Sequence, residues 1–358
     1  MCGITGFWKR ERLNGSADEI LNQMTDALIH RGPDGRGVWA DSACGIAFGH
    51  RRLAIRDLSD AGHQPMTSDN RRFVLSYNGE IYNTDEIRIA LISAGHKFRG
   101  RSDTEVFLEA VSAWGVFAAI PRLAGMFAAS IWDAKERQLY LVRDRLGIKP
   151  LYWGFIGSQF VFGSELKSIA KFPNFSREID TSALCDYFRY GVVHAPRSIY
   201  KNISKLLPGT ILTYSGFDAP KLTTYWKLTD HVINDGTRSV EELDDLLPNL
   251  VRSHMESDVP IGTFLSGGID SSLVTGLANL SVSPERVTSF TVGFDEEKLD
   301  ESRHAKLVAD KLGTNHIEIR ATPESALGLI EALPHYFDEP FADSSQLPTM
   351  LISKLARQ

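Results

Sequence analysis

Two rhythms of apolar and polar positions divide the chain. In the first half, short runs of β-branched and aromatic residues sit between turn signals: "CGIAFGH" (44–50), "RFVLSY" (72–77), "GMFAASIWD" (125–133), "QLYLVRD" (138–144) and "QFVFGS" (159–164). Such runs predict strands. Two amphipathic patterns interrupt them. Ile20, Met24, Ala27 and Leu28 recur at helical spacing in 17–30, and Val106, Phe107, Ala110 and Val111 do so in 103–114. Many strands with few helices predict packed antiparallel sheets. In the second half the pattern alternates: a helix over 239–255, which Pro248 is expected to kink or split, a buried strand over 259–266, a helix over 270–280, a strand over 286–294, a helix over 300–313 and a strand over 315–320. Alternation at this spacing predicts a parallel α/β sheet. The join falls near "TYSGFDAPKLTTYW" (213–226), where Gly216 and Pro220 break the pattern, which divides the chain into 1–216 and 217–358.

Composition narrows the class. A length of 358 residues suggests two domains, and 43% hydrophobic with 23% charged residues is the balance of a water-soluble globular protein. The formal net charge is −6 and no dense Lys/Arg run occurs, which argues against a nucleic-acid partner. No apolar run approaches the ~20 residues of a membrane span, and Lys9, Arg10, Glu11 and Arg12 interrupt the N-terminus too early for a signal peptide. The three cysteines, Cys2, Cys44 and Cys185, are too few and too widely spaced for a disulfide framework or a zinc site. A reducing, cytoplasmic compartment is expected.

Two stretches carry chemistry. In "FLSGGIDSS" (264–272), Leu265 and Ser266 close a strand, Gly267 and Gly268 turn the chain, and a helix begins near Asp270. Glycines admit a close backbone approach to a ligand, and a helix N-terminus offers amides and a positive dipole to an anion. Ser266, Ser271 and Ser272 add hydroxyls. Asp270 disfavours a bare phosphate but suits one whose charge is shared with Mg²⁺. The alternative is an ordinary strand-to-helix turn with Asp270 as N-cap. It is not a Walker loop, because no Gly-Lys-Ser/Thr follows.

The other stretch is the opening "MCGITGFW". Met1 before a small residue is expected to be removed, which would put a thiol and an α-amine on Cys2. An α-amine titrates near pH 8 and can take the thiol proton directly or through a water. The alternative is a small buried residue that starts a strand.

"CGI", "RGPDG" (31–35), "GHRRLAIRDLS" (49–59), "YNGEIYN" (77–83), "GRSDTE" (100–105), "RDRLGIKPLY" (143–152) and "FGSELKSI" (162–169) follow in order. Together they resemble the class II glutamine amidotransferases, the N-terminal-nucleophile glutaminases. "FLSGGIDSS" resembles the PP-loop of the ATP pyrophosphatases. The two joined resemble the glutamine-hydrolysing asparagine synthetases. The resemblance implies an αββα sandwich (α+β) followed by a partial parallel-sheet (α/β) PP-loop domain.

It also implies roles. Cys2 is the nucleophile, with Asn78 and Gly79 as oxyanion hole. Arg52 grips the substrate carboxylate and Asp103 its ammonium, and Ile55 and Glu80 line the same pocket. Leu265, Ser266, Gly267, Gly268, Asp270, Ser271, Ser272, Val292 and Gly293 bind ATP, with Asp270 holding Mg²⁺. The implied substrates are glutamine, aspartate and ATP, with no nucleic acid and no membrane, and a homodimer is left open. Bland alternatives stand beside these roles: "NG" is a strong hairpin-turn signal, Asp103 could cap a helix, and Val292 could be plain sheet core. Arg51 is expected at the surface, and Arg31 and Asp34 as braces of the pocket turn. In the family, a further Gly-rich acidic motif and a lysine follow "DEPFADSSQLPT" (338–349); the sequence ends before them, so a fragment or truncated synthetase is expected. Amidation of another carboxylate, such as a sugar acid, or glutaminase activity alone, remain alternatives.

Overall fold

The computed structural model describes residues 1–13, 15–232, 239–296, 298 and 300–357. The chain forms two units: Met1–Val232 with Asp338–Phe341, and Ile233–Phe337 with Ala342–Gln358.

Among the described residues the first unit contains twelve strands: β1 Gly3–Trp8, β2 Gly35–Asp41, β3 Ile46–Arg52, β4 Met66–Thr67, β5 Phe73–Ile81, β6 Gly125–Asp133, β7 Gln138–Arg143, β8 Tyr152–Ile156, β9 Gln159–Gly163, β10 Ile203–Lys205, β11 Thr210–Tyr214 and β12 Lys221–Thr224. Its helices are α1 Ser16–Asp26, α2 Thr84–Ser93, α3 Asp103–Trp114, α4 Val116–Ala119, α5 Leu166–Ile169 and α6 Thr181–Tyr190. One sheet runs β10-β8-β9-β1-β3-β2 and the other β12-β11-β7-β6-β5-β4. The pairs in both are antiparallel. β12 pairs with β11, so the unit continues beyond Gly216.

Three apolar layers explain the stacking. Ile4, Phe48, Phe162, Trp132, Leu141 and Leu212 join the inner faces of the two sheets. Phe7, Leu21, Met24, Leu166 and Ala183 pack α1, α5 and α6 on the first sheet. Tyr77, Phe107, Val111, Ile120 and Phe127 pack α3 and its neighbours on the second. The result is the expected αββα sandwich. β1 has all six residues buried, since both its faces are covered. The residue just before it is therefore anchored at the end of a central strand.

Local chemistry fixes the ends. α3 starts where the Ser102 hydroxyl accepts from the Glu105 amide and stops at Gly115, whose φ is +75°. α1 ends at Asp26, short of the expected residue 30; hydrogen bonds of Leu28 to Thr25 and Arg31 to Leu28 then carry the chain through tight turns.

The second unit holds α7 Val240–His254, β13 Gly262–Phe264, α8 Ile269–Ser281, β14 Thr288–Phe294, α9 Ser302–Leu312, β15 Asn315–Ala321, α10 Pro323–Ile330, α11 Leu333–Tyr336 and α12 Gln346–Ala356. β13, β14 and β15 form a parallel sheet in that order, as the alternation predicts. Two expectations are corrected. α7 is not split at Pro248; the ring removes one amide, and the rest of the ladder continues. The strand expected over 259–266 is only three residues long and is not buried, with Phe264 51% exposed. It lies at the edge of the sheet and has one neighbour. No single helix among the described residues is long and apolar enough to cross a membrane.

Candidate functional site

Cys2 sits where β1 begins. Its Sγ accepts from the Leu53 amide at 3.4 Å and lies 3.7 Å from the Leu53 carbonyl. Its own carbonyl accepts from Arg31 Nε at 2.8 Å. Burial pushes the thiol above its ordinary value, and the Asp103 and Glu80 carboxylates push the same way; the Leu53 amide and the N-terminal ammonium pull it down. At neutral pH such a thiol needs a base to become a nucleophile.

A pocket of about 160 Å³ opens beside it. Cys2, Arg52, Ile55, Asn78, Gly79, Glu80 and Asp103, all singled out from the sequence, line it together. Asn78 and Gly79 are not in a turn. β5 runs straight through them, paired with Ala128 and Phe127 of β6, so the hairpin reading of "NG" is corrected. Gly79 is required there because a Cβ would collide with the Met126 carbonyl. Asn78 is 1% exposed, and its Nδ2 is buried without a hydrogen-bond partner. Leaving such a donor unmet costs roughly 1–3 kcal/mol. A buried, unpartnered donor in the same pocket as a thiol is the kind of group that can stabilise a developing oxyanion.

Asp103 is the first residue of α3, whose N-cap is Ser102. Its Oδ2 accepts from the Tyr77 hydroxyl at 2.8 Å and from the Ile81 amide at 3.2 Å. Burial raises its pKa, and the Tyr77 hydroxyl, Arg56 and backbone amides oppose the rise. A ligand ammonium arriving there would relieve that penalty. Arg52 donates to the carbonyls of Ser59, at 2.9 Å, Arg56 and Asp57, which folds the loop after β3 around its guanidinium. Arg51 is corrected: it is 9% exposed and paired with Asp26. Asp34 accepts from the Ala54 amide at 3.0 Å.

Several pocket residues were not singled out. Gln64 accepts from the Tyr77 amide at 2.7 Å and donates to Thr104 at 3.1 Å. Lys149 places Nζ 3.2 Å from Met1 Sδ, and burial lowers its pKa. Lys149 stands inside the "GIKPLY" string, so the motif held it without revealing a role. Behind the pocket, His50 is 1% exposed and donates Nε2–H to the Tyr77 carbonyl at 3.0 Å.

Burial holds His50 neutral, with its pKa lowered from 6.5 to about 3. A depressed histidine favours the fold fully above pH 6.5 and less as the pH falls toward 3, because only the unfolded chain takes up the proton. Unfolding free energy is expected to fall by about 2 kcal/mol between pH 6.5 and 5 from this group. Denaturant titrations of wild type and His50→Gln at both pH values check it; the variant should lose that part of the dependence.

In the second unit, "FLSGGIDSS" forms the expected turn between β13 and α8. Gly267 has φ +83°, a backbone only glycine adopts readily. Ser266 Oγ lies 3.0 Å from Ser271 Oγ, and the Gly268 amide donates to Ser266 Oγ at 3.4 Å. α8 starts at Ile269 with Gly268, not Asp270, at its N-cap. A cleft of about 490 Å³ beside it is lined by Leu265, Ser266, Ser271 and Val292, with Phe264, Phe290, Thr291, Glu301, and Ser345, Pro348, Thr349 and Ile352 around α12. Gly267, Gly268, Asp270 and Ser272 flank the cleft in sequence and are not among its lining residues. Gly293 is not among the lining residues either, and a Cβ there would meet Glu318, Arg320 and Asp300. The α12 wall was missed, although "DEPFADSSQLPT" marked its approach. Among the described residues no group of three His, Cys, Asp or Glu gathers as a preformed metal site. Asp270, exposed in the first turn of α8, fits the one carboxylate that Mg²⁺ uses alongside phosphates and water.

Comparison with known proteins agrees with both units. The glutamine amidotransferase domain model matches residues 1–226, and the asparagine synthase model matches 242–358. Asparagine synthetase [glutamine-hydrolyzing] 1 of Bacillus subtilis is 37% identical over 361 residues, which cover 100% of this chain and 56% of that protein. Putative asparagine synthetase [glutamine-hydrolyzing] 2 of Methanocaldococcus jannaschii is 36% identical, covering 100% of this chain and 72% of its own length. Asparagine synthetase [glutamine-hydrolyzing] 3 of B. subtilis is 38% identical over 78% of this chain and 45% of its own length. The chain thus spans about half the length of the curated relatives it matches. On the matches of both halves and on these identities, the chain belongs to the glutamine-hydrolysing asparagine synthetase family.

Proposed function

We propose that the first unit hydrolyses glutamine at Cys2, and that the ammonia released amidates aspartate activated by ATP-Mg²⁺ in the second. The observation that carries this reading is the partnerless, buried Asn78 Nδ2 in the same pocket as Cys2 Sγ, Arg52 and Asp103.

Removal of Met1 would leave the Cys2 α-amine as the base that accepts the thiol proton. The thiolate attacks the side-chain amide carbon of glutamine. Asn78 Nδ2–H and the Gly79 amide receive the negative oxygen, the α-ammonium returns its proton to the leaving nitrogen, and ammonia departs. Water then hydrolyses the thioester to glutamate and regenerates the thiol. Arg52 and Asp103 hold the carboxylate and ammonium of the substrate, with Ile55 and Glu80 shaping the pocket wall.

In the second unit, Leu265, Ser266, Gly267, Gly268, Ser271, Ser272, Val292 and Gly293 would hold ATP, and Asp270 its Mg²⁺. Activation of the acceptor carboxylate as an acyl-adenylate would release pyrophosphate, and attack by ammonia would then release AMP. The unpaired thiols of Cys2, Cys44 and Cys185 support a reducing cytoplasmic setting.

Incubation with glutamine, ATP-Mg²⁺ and aspartate should release glutamate, AMP and pyrophosphate together with asparagine. Glutamate release without AMP, pyrophosphate or asparagine would restrict the reading to glutaminase activity. Absence of glutamate release would refute the reading. AMP formation only with a different carboxylic acid would reassign the acceptor.

A further inference from the structure

Asp338–Phe341 belongs to the amidotransferase unit although more than a hundred residues of the second unit precede it in sequence. Its two carboxylates are nearly buried; each side chain is 11% exposed. Glu339 accepts from the Ile199 amide at 2.7 Å and from the Tyr152 hydroxyl at 2.8 Å, and pairs with Lys205 Nζ at 2.7 Å. These contacts fasten the segment. Asp338 accepts from the Lys167 amide at 2.9 Å, and its other oxygen lies 3.1 Å from Lys167 Nζ.

From Lys167 the contacts run to the nucleophile. Lys167 Nζ donates to Glu165 Oε2 at 2.7 Å, and His30 Nε2 meets the same oxygen at 2.9 Å. Arg31 donates to Glu165 Oε1 at 2.7 Å and, through Nε, to the Cys2 carbonyl at 2.8 Å. The Arg31 side chain is 8% exposed and that of Glu165 13%. Burial alone would raise the Glu165 pKa, but His30, Arg31 and Lys167 hold it at about 2. The Glu165 carboxylate is thus ionised at any working pH; burial raises the pKa of Asp338, and the Lys167 amide and ammonium oppose the rise.

We propose that Asp338 and Lys167 are positioning residues for Cys2, acting through Glu165 and Arg31 on its main-chain carbonyl, so that a segment distant in sequence sets the aim of the nucleophile. Asp338 fixes which way Lys167 reaches, Lys167 holds Glu165 against Arg31, and Arg31 keeps the first peptide of β1 in register with the Leu53 amide that contacts the thiol. Of the residues linked from Asp338 to Cys2, only Cys2 would touch the substrate. The inference rests on the proposed glutaminase reading.

The test uses the full chain. Asp338→Asn is expected to lower kcat for glutamine hydrolysis by about tenfold, since a small displacement of a reacting group costs rate steeply. KM for glutamine should stay within about twofold, because Arg52 and Asp103 are untouched. Glu165→Gln should lower kcat similarly, and the double variant should lose no more than the worse single one, because both changes cut one connected chain. An unchanged kcat in Asp338→Asn, or losses that multiply in the double variant, would overturn the proposal. If Asp338→Asn does not fold, Lys167→Met carries the same expectation and the same refutation. Wild-type chain that releases no glutamate would instead sink the glutaminase reading. The rate of Cys2 alkylation by iodoacetamide, followed by peptide mass, then decides this proposal separately: several-fold slower in Asp338→Asn supports it, and an equal rate overturns it.

Discussion

Asn78→Ala is expected to lower kcat for glutamine hydrolysis by about 100- to 1000-fold, the usual effect of losing one oxyanion donor. Nδ2 of Asn78 has no partner among the described residues, so its removal breaks no hydrogen bond seen there. Stability should therefore change little, because relief of the unmet donor offsets the small cavity that a shortened side chain leaves. KM should also change little, because the donor acts on charge that develops only in the transition state. Asn78→Asp sharpens the expectation. It has nearly the same shape but places a carboxylate where negative charge must form, and it should be at least as slow as Asn78→Ala. Steady-state kinetics with thermal unfolding of both variants check it. A large loss of stability with kcat preserved would mean that Asn78 is a packing residue of β5.

Cys2→Ala is expected to abolish glutamine hydrolysis, a fall of about 10⁴-fold or more in line with removal of other enzymatic nucleophiles. The side chain lies outside the apolar layers, and what anchors the residue is its carbonyl, held by Arg31 at 2.8 Å. Alanine keeps that carbonyl, so the fold should persist. ATP-dependent release of pyrophosphate with aspartate, and asparagine formation from added ammonium, should survive in this variant, because neither step uses the thiol. Parallel assays with glutamine and with ammonium chloride separate the two outcomes. Equal loss in both would indicate general misfolding, and glutamine hydrolysis persisting at the wild-type rate would remove Cys2 from the mechanism.

Much of the sandwich was legible because its strands are apolar on both faces. "GMFAASIWD" and "QLYLVRD" form β6 and β7 of the second sheet, where either face meets a neighbouring layer, and a run of that kind reads plainly. α3 was legible to the residue, since Ser102 and Gly115 bracket an apolar repeat. α2 and α6 were not seen. α6 has one buried side chain, Ala183, so its helical stripe is thin.

Local signals misled where tertiary pairing overrode them. "NG" reads as a turn, yet nine successive pairs with β6 keep β5 extended through Asn78 and Gly79. Arg51 and Arg52 are adjacent and alike in sequence; strand alternation sends one to Asp26 and the other to the pocket loop. Seven lining residues of the pocket beside Cys2 were recoverable from ordered motifs, whereas Gln64 and Lys149 join it through contacts that no local pattern encodes. Asp338 is the extreme case, since its link to the first unit spans 171 positions to Lys167.

The central claim is that Cys2, exposed by loss of Met1, attacks the glutamine side chain. Peptide mass spectrometry after treatment with a diazoketone analogue of glutamine tests it most directly. The predicted result is one adduct, on a peptide that begins at Cys2, with glutamate release lost in step with labelling and labelling blocked by excess glutamine. An adduct on Cys44 or Cys185, or glutamine hydrolysis that survives complete labelling of Cys2, would contradict it.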